Sequence, residues 1–358
     1  MQGQSPSGVI KPEVRRLAAY TLKHVKADVK LDQNENPYEL PQDLKEEVAR
    51  RVLARPWGRY PEFVPHSTTQ ALSRFTGWTE DGILIGNGSN ELIMAGLSVV
   101  AGSGRKVVLP QPTFTLYQLL SSVYEANVTT VPLNSSDFSF NVEALAAESK
   151  NAAVTVICSP NNPTGSLLES SALRRILEGT SGLVFLDEAY HEFSGQSALT
   201  LLPEYPNLIV LRTFSKAMSM AGLRFGYLMA HPEVAREIHK AKLPYNVNVF
   251  TLTAAELVLE RPEIMKTAIQ TLTGERQRVM AELQKRPDIE VFNSCANFFL
   301  MRTKHNARVL FEALYEQGVL VRDVSSYPML ERVLRISAGT PEENNRFLTA
   351  LDRALETL

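Results

Sequence analysis

Short apolar runs punctuate the middle of the chain. They are Ile83-Leu84-Ile85, Val107-Val108-Leu109, Val128 to Val131, Ala153 to Ile157, Leu183 to Leu186, Leu208 to Leu211 and Gly226 to Met229. Each is too short for a helix, and amphipathic stretches such as Glu91 to Val100, Leu116 to Tyr124 and Leu173 to Leu177 lie between most of them. Runs of this kind are strands buried on both faces, so the pattern predicts an α/β protein with a mostly parallel seven-stranded sheet flanked by helices. Ahead of this region, residues 1 to about 11 read as a loose arm, Val14 to Tyr20 as a short helix, Leu31 to Pro37 as a loop and Asp43 to Leu53 as a helix. Pro56 and Pro61 then break the helical spacing and put Arg59-Tyr60-Pro61 in an extended turn. After Pro244 the spacing turns helical, over Thr251 to Leu259 and Pro262 to about Lys285. Strands at Phe298 to Met301 and Val333 to Ser337 alternate with helices at Ala307 to Gln317 and Pro341 to Leu355, the pattern of a smaller α+β domain. The expected division is an arm and part of the small domain in 1–55, a large domain in 56–265 and a small C-terminal domain in 266–358.

With 358 residues, 44% of them hydrophobic, the chain can bury a large core and fits one large and one smaller domain. Its 37 basic and 39 acidic residues are spread evenly, which argues against a nucleic-acid footprint or a basic membrane face and for small-molecule partners. Cys158 and Cys295 stand far apart without a metal-binding spacing, and the six histidines show none either, so neither a disulfide framework nor a metal site is expected. With a polar N-terminus and no run of eighteen apolar residues, the expected location is the cytoplasm.

Open α/β sheets bind ligands at the carboxyl ends of their strands. Gly86-Asn87-Gly88-Ser89-Asn90-Glu91 follows the first run and opens a helix, which suits a phosphate cradle; the same letters also fit a turn that only caps the helix. Cys158-Ser159-Pro160-Asn161-Asn162-Pro163-Thr164-Gly165 holds the amide of Asn162 between prolines, either to orient a polar ligand atom or as a plain structural turn. Asp187-Glu188-Ala189-Tyr190 puts a carboxylate just past a buried strand, where it needs a cation, whether a protonated heterocycle or an arginine. Thr213-Phe214-Ser215-Lys216 follows the next run, with Arg224 downstream. Burial and a neighbouring cation would favour a neutral, nucleophilic lysine that condenses with aldehydes; taken alone, the same letters also fit a solvated lysine just past a strand. Gly102-Ser103-Gly104-Arg105-Lys106 lacks the spacing of a nucleotide loop, which argues against a nucleotide-binding protein.

Taken in order, the Asn-Pro-Thr-Gly loop, Asp-x-x-Tyr, and Ser-Lys followed by arginine resemble the fold-type I pyridoxal-phosphate enzymes, specifically the aminotransferases, from about residue 12 onward. The resemblance implies that Lys216 forms a Schiff base with pyridoxal 5'-phosphate and shuttles protons, and that Asp187 keeps the pyridinium nitrogen protonated. It implies that Asn162 and Tyr190 contact the cofactor's phenolic oxygen, and that Phe114 stacks on the ring where many relatives carry tyrosine. Thr213, Ser215, Arg224, Ser89 and Asn90 are implied around the phosphate. Tyr60 is implied to reach the phosphate of a neighbouring subunit in a homodimer; a tyrosine packed in its own core is the other possibility.

Arg335, in Val333-Leu334-Arg335-Ile336-Ser337, shares a strand face with Val333 and Ser337 and suits a carboxylate. Arg322 is a second cation, with adjacent Asp323 as an alternative partner. The segment from Gly318 to Asp323, the segment from Leu334 to Thr340 and Tyr20 are similar to the histidinol-phosphate aminotransferases. That similarity implies a carboxylate clamp at Arg335 and substrate phosphate at Arg322 and Tyr20, with Asn36 and Asn162 among the substrate contacts. The implied reaction interconverts L-histidinol phosphate plus 2-oxoglutarate with imidazole acetol phosphate plus L-glutamate, in histidine biosynthesis. Aromatic aminotransferases and a threonine-phosphate decarboxylase share these motifs and remain alternatives.

Overall fold

The seven apolar runs become seven strands of one sheet in the computed structural model, which describes residues 6–18 and 26–358. The strands are β1 (Ile83–Gly86), β2 (Lys106–Gln111), β3 (Asn127–Pro132), β4 (Val154–Cys158), β5 (Leu183–Asp187), β6 (Leu208–Thr213) and β7 (Gly226–Ala230). Their order is β1-β7-β6-β5-β4-β2-β3. Only β7 runs antiparallel to its neighbours; the other pairings are parallel. Every residue of β4 and β6 is buried, which is why these strands read as unbroken apolar runs without alternation. Successive side chains nonetheless divide between two cores: Val184, Leu186 and Val210 face one, and Phe185, Ile209 and Leu211 face the other.

The later part of the chain forms a four-stranded antiparallel sheet from β8 (Ile289–Val291), β9 (Phe298–Thr303), β10 (Arg322–Asp323) and β11 (Val333–Ser337), in the order β10-β11-β9-β8. A third core, including Leu310, Phe347 and Leu351, lies beneath it. The helix Pro341–Thr357 begins with a capping box in which Thr340 and Glu343 each bond the other's backbone N–H. Val29–Lys30 pairs in parallel with Val319–Leu320, so the loop after residue 30 is tied to the C-terminal part of the chain. The two helical stretches expected after Pro244 are the helices Val249–Glu260 and Lys266–Leu283, separated where Pro262 forces Arg261 out of helical geometry. The first expected helix spans Pro12–Arg16; Tyr20 lies outside the described residues. Helices His66–Thr76, Val142–Ser149 and Pro232–His239 add to those read from the sequence.

Phe185 is fully buried, and the helix Ser89–Val100 approaches it so closely that a Cβ on Gly96 would lie 2.5 Å from its ring. Phe185→Ala removes that contact at the centre of the sheet. It is expected to cost about 3–5 kcal/mol, read as a lower denaturant midpoint in urea unfolding.

Candidate active site

Strand register brings the chemistry together. Cys158 of β4 pairs with Asp187 of β5, and Asp187 pairs with Leu211 of β6, so the loops that follow these strands open side by side. A cavity of about 250 Å³ lies at these strand ends, with the antiparallel sheet contributing Arg322 and Arg335 to its wall. It also gathers Ser89, Asn90, Phe114, Asn162, Asp187, Tyr190, Thr213, Ser215, Lys216 and Arg224, all singled out in the sequence. By contrast, the Gly102–Lys106 segment leads into the amino end of β2, away from these carboxyl-end loops.

One end of the cavity is built for an anion. Gly88 has φ +80°, which favours glycine, and a Cβ there would lie 2.5 Å from Arg224 Nη2, so the missing side chain also leaves room for the guanidinium. The helix Ser89–Val100 starts immediately after it, turning its free N–H groups toward the cavity. Arg224 Nη1 donates to Ser215 Oγ at 3.0 Å, and the Thr213 hydroxyl lies 3.0 Å from the same oxygen. Gly226 of β7 packs against this corner, where a Cβ would come within 2.4 Å of the Ser89 nitrogen.

The same cavity wall carries two buried carboxylates, Asp32 and Asp187. Asp187 is buried, and its Oδ1 accepts from the Ala189 N–H at 3.0 Å while Oδ2 accepts from the Tyr117 hydroxyl at 2.7 Å. Burial pushes its acid up to about 6, against the Tyr117 and Ala189 hydrogen bonds that pull it down. Glu188 points the other way, into a buried ion pair with Arg212 at 3.0 Å, and this pair anchors the segment from behind.

Lys216 Nζ donates to the Gln33 carbonyl at 2.8 Å. Burial first, then the Arg335 guanidinium, lowers its ammonium to about 8; Glu35 opposes this and Arg224 adds to it. Asn161 fixes the loop next to it, donating to the Pro112 carbonyl and accepting from the Thr113 hydroxyl at 2.7 Å, which links Phe114 to the Asn162 turn. Asn162 Oδ1 in turn accepts from Arg335 Nη1 at 2.6 Å. Arg335 Nη2 donates to the Asp32 carbonyl, and its guanidinium lies 5.3 Å from the Phe298 ring centroid. Directly across the strand pair from Arg335 is Arg322. The adjacent Asp323 spends its Oδ1 on the N–H and hydroxyl of Ser325, and Arg322 makes no ion pair among the described residues.

One expected placement differs. Asn36, expected at the substrate, lies outside this cavity: its Nδ2 donates to the Ala217 carbonyl at 2.9 Å and its Oδ1 accepts from the Tyr38 N–H, so it braces the lysine segment instead. Asn34 lines the cavity in its place, in left-handed backbone geometry, donating to the Tyr190 hydroxyl at 3.1 Å. Tyr60 is not packed in its own core; it is 81% exposed and stacks on Tyr245 with ring centroids 4.5 Å apart. Tyr117 and Tyr327 also line the cavity, and nothing in the spacing of apolar and polar positions sets either apart from ordinary packing.

Sheet order and cavity together define a fold-type I transferase. The family model for aminotransferase class I and II matches residues 26–351. A histidinol-phosphate aminotransferase of Chlorobaculum tepidum is 40% identical over 96% of this chain and 100% of its own length. Two solved structures of histidinol-phosphate aminotransferases share the fold at 24% identity and a TM-score of 0.86. The enzyme from Clostridium acetobutylicum covers 92% of this chain and 100% of its own; that from Sinorhizobium meliloti, in complex with pyridoxal-5'-phosphate, covers 98% of each. The chain belongs to the class I and II aminotransferases, and within them to the histidinol-phosphate aminotransferase group.

Because the neutral amine is the reactive form, capture of an aldehyde by Lys216 is expected to speed up as pH rises through about 8 and to level off above it. Arg335→Gln removes a charge that favours the neutral form, so the same rise is expected at higher pH. Stopped-flow absorbance of the unloaded protein mixed with pyridoxal phosphate across a pH series measures both; an identical profile in the two proteins would contradict the electrostatic coupling.

Proposed function

We propose that this chain transfers an amino group reversibly between L-histidinol phosphate and 2-oxoglutarate, giving imidazole acetol phosphate and L-glutamate, as a pyridoxal-phosphate enzyme of histidine biosynthesis. The observation that carries this reading is the cross-strand pairing of Arg322 with Arg335 in the cavity that also contains Lys216 and Asp187. Like charges directly opposite on adjacent strands are destabilising, so the pair calls for an anion between the two guanidinium groups. A substrate phosphate, with more charge and more acceptor oxygens than a carboxylate, can engage both. Glutamate brings two carboxylates and can give one to each arginine.

The residues present fit the cofactor. The Gly88 cradle with Arg224 and Ser215 suits its phosphate, the buried Asp187 suits a protonated ring nitrogen, and Lys216 is an amine held partly neutral. When bound, pyridoxal phosphate supplies an aldehyde for amine exchange and a protonated ring that accepts the electron pair released at the substrate carbon. Ser89, Asn90, Thr213, Ser215 and Arg224 would hold the phosphate. Asp187 would keep the ring nitrogen's proton in place, and Phe114 would lie against the ring. Asn162 and Tyr190 would face the phenolic oxygen; Arg335 engages the Asn162 carbonyl oxygen and so leaves its N–H groups to donate. Lys216 Nζ would carry the proton between the substrate α-carbon and the carbon of the cofactor's former aldehyde. On this reading residues 56–265 form the cofactor-binding domain, while 266–358, joined by part of the 1–55 arm, carries the substrate arginines.

A second copy of the chain completes the proposal. Trp57, Tyr60, Phe63 and Leu243 are 69%, 81%, 51% and 60% exposed, an apolar surface that a homodimer would cover. Tyr60 would then reach the partner's phosphate cradle.

Arg322→Ala is expected to slow the half-reaction with histidinol phosphate by roughly 10- to 100-fold, the loss of one charge-assisted contact, while Arg335→Ala abolishes it with both substrates. Absorbance of the bound cofactor after mixing with each amine separates the cases. Retention of both half-reactions by Arg322→Ala would exclude the paired-arginine reading. Faster reaction with L-phenylalanine would point to an aromatic aminotransferase, and carbon dioxide release from threonine phosphate to a decarboxylase. Tyr60→Phe is expected to weaken cofactor binding by about tenfold without changing assembly. A wild-type protein that sediments as a single chain would sink the shared-site proposal.

A further inference from the structure

Tyr117 is fully buried in the helix Thr115–Val123, and no motif in the sequence marks it. Its hydroxyl donates to Asp187 Oδ2 at 2.7 Å, leaving Ala189 to serve the other carboxylate oxygen. The same ring stands edge-on to Phe114, with centroids 5.6 Å apart and planes at 87°. One side chain therefore touches both the buried acid and the aromatic ring assigned to the cofactor's face. We propose that Tyr117 is a positioning residue for the transamination: by donating to Asp187 Oδ2 it holds the carboxylate ionised and oriented for a protonated ring nitrogen. The proposal rests on the reading of this cavity as a pyridoxal-phosphate site.

The surroundings explain why a donor is needed. The titratable groups that act on Asp187 or feel its charge are the Tyr117 phenol, the Cys158 thiol of β4, its neighbours Glu188 and Tyr190, and Lys216 from the loop after β6. Burial favours the neutral acid, and the nearby Glu188 charge, although itself paired with Arg212, pushes in the same direction. Lys216 favours the ionised form, but only weakly, and it is held partly neutral. The Tyr117 hydrogen bond is the strongest influence toward the carboxylate. Burial also keeps the phenol protonated, so it remains a donor across the working pH range. The Cys158 thiol donates to the Pro160 carbonyl at 3.2 Å, leaving the phenol's proton to Asp187.

The sign follows from the direction of the shift. Above its pKa of about 6, Asp187 is ionised and can hold a ring proton; below it, the neutral acid cannot. Without the phenol donor this acid rises further, so the loss of cofactor binding on acidification begins at higher pH. The experiment titrates unloaded wild-type, Tyr117→Phe and Tyr117→His proteins with pyridoxal phosphate between about pH 5 and 8, reading dissociation constants and the bound-cofactor spectrum. Wild type is expected to lose affinity as pH falls through about 6. Tyr117→Phe, whose near-identical shape preserves packing, is expected to move that limb up by about one unit, and Tyr117→His, which restores a donor, to move it back. Uniform weakening at every pH with the limb unmoved would mean that Tyr117 only packs, and would overturn the proposal. Failure of wild type to bind the cofactor at any pH would instead overturn the reading of the site itself.

Discussion

Electrostatic imbalance governs this cavity. Lys216, Arg224, Arg322 and Arg335 surround a space lined by two buried carboxylates, Asp187 and Asp32, and desolvation raises the cost of keeping all of them charged at once. The protein meets that cost locally. Lys216 is shifted toward its neutral amine, Arg335 is held by the Asn162 amide and the Asp32 carbonyl, and Arg224 is held by Ser215 and a backbone carbonyl. The remaining positive potential is complementary to a ligand pair carrying phosphate and carboxylate groups, which links the cofactor and substrate readings through one physical cause.

The same contacts join the two parts of the chain. Arg335 belongs to the antiparallel sheet, whereas Asn162 follows β4 of the large sheet, so a 2.6 Å hydrogen bond crosses between them. The segment from Asp32 to Asn36 lies between, with Gln33 accepting from Lys216, Asn34 bonded to Tyr190 and Ser337, and Asn36 bonded to Ala217. On the proposed reading, a substrate carboxylate at Arg335 would meet the guanidinium beside Asn162 Oδ1, which places the substrate clamp next to the group assigned to the cofactor's oxygen.

Much of this was legible in the sequence because buried parallel strands announce themselves as uninterrupted apolar runs, and the polar residues immediately after them have few structural reasons to be there. Asp187, Asn162 and Lys216 stand out for that reason. Arg322 and Arg335 were both visible as cations, but their direct opposition depends on the register of β10 and β11, with the intervening chain turning back on itself. Tyr117 was hidden because an aromatic on the buried side of a helix looks like core. That Asn34 lines the cavity was not visible, because its left-handed backbone, with φ of 57°, is not specified by the sequence. Tyr60 stood out by resemblance, but only its exposure separates it from a tyrosine packed in its own core.

Register also limits how such a site can change over evolutionary time. Directly opposed residues on antiparallel strands share a face, and a slip of one position sends a side chain to the other face. Arg322 can thus be kept beside Arg335 or lost from the cavity by a single insertion in β10, with no graded series of positions between. Divergence of substrate preference among proteins built on this scaffold is then expected to proceed in steps, with intermediates that recruit a different residue at the same register position in preference to moving the cation.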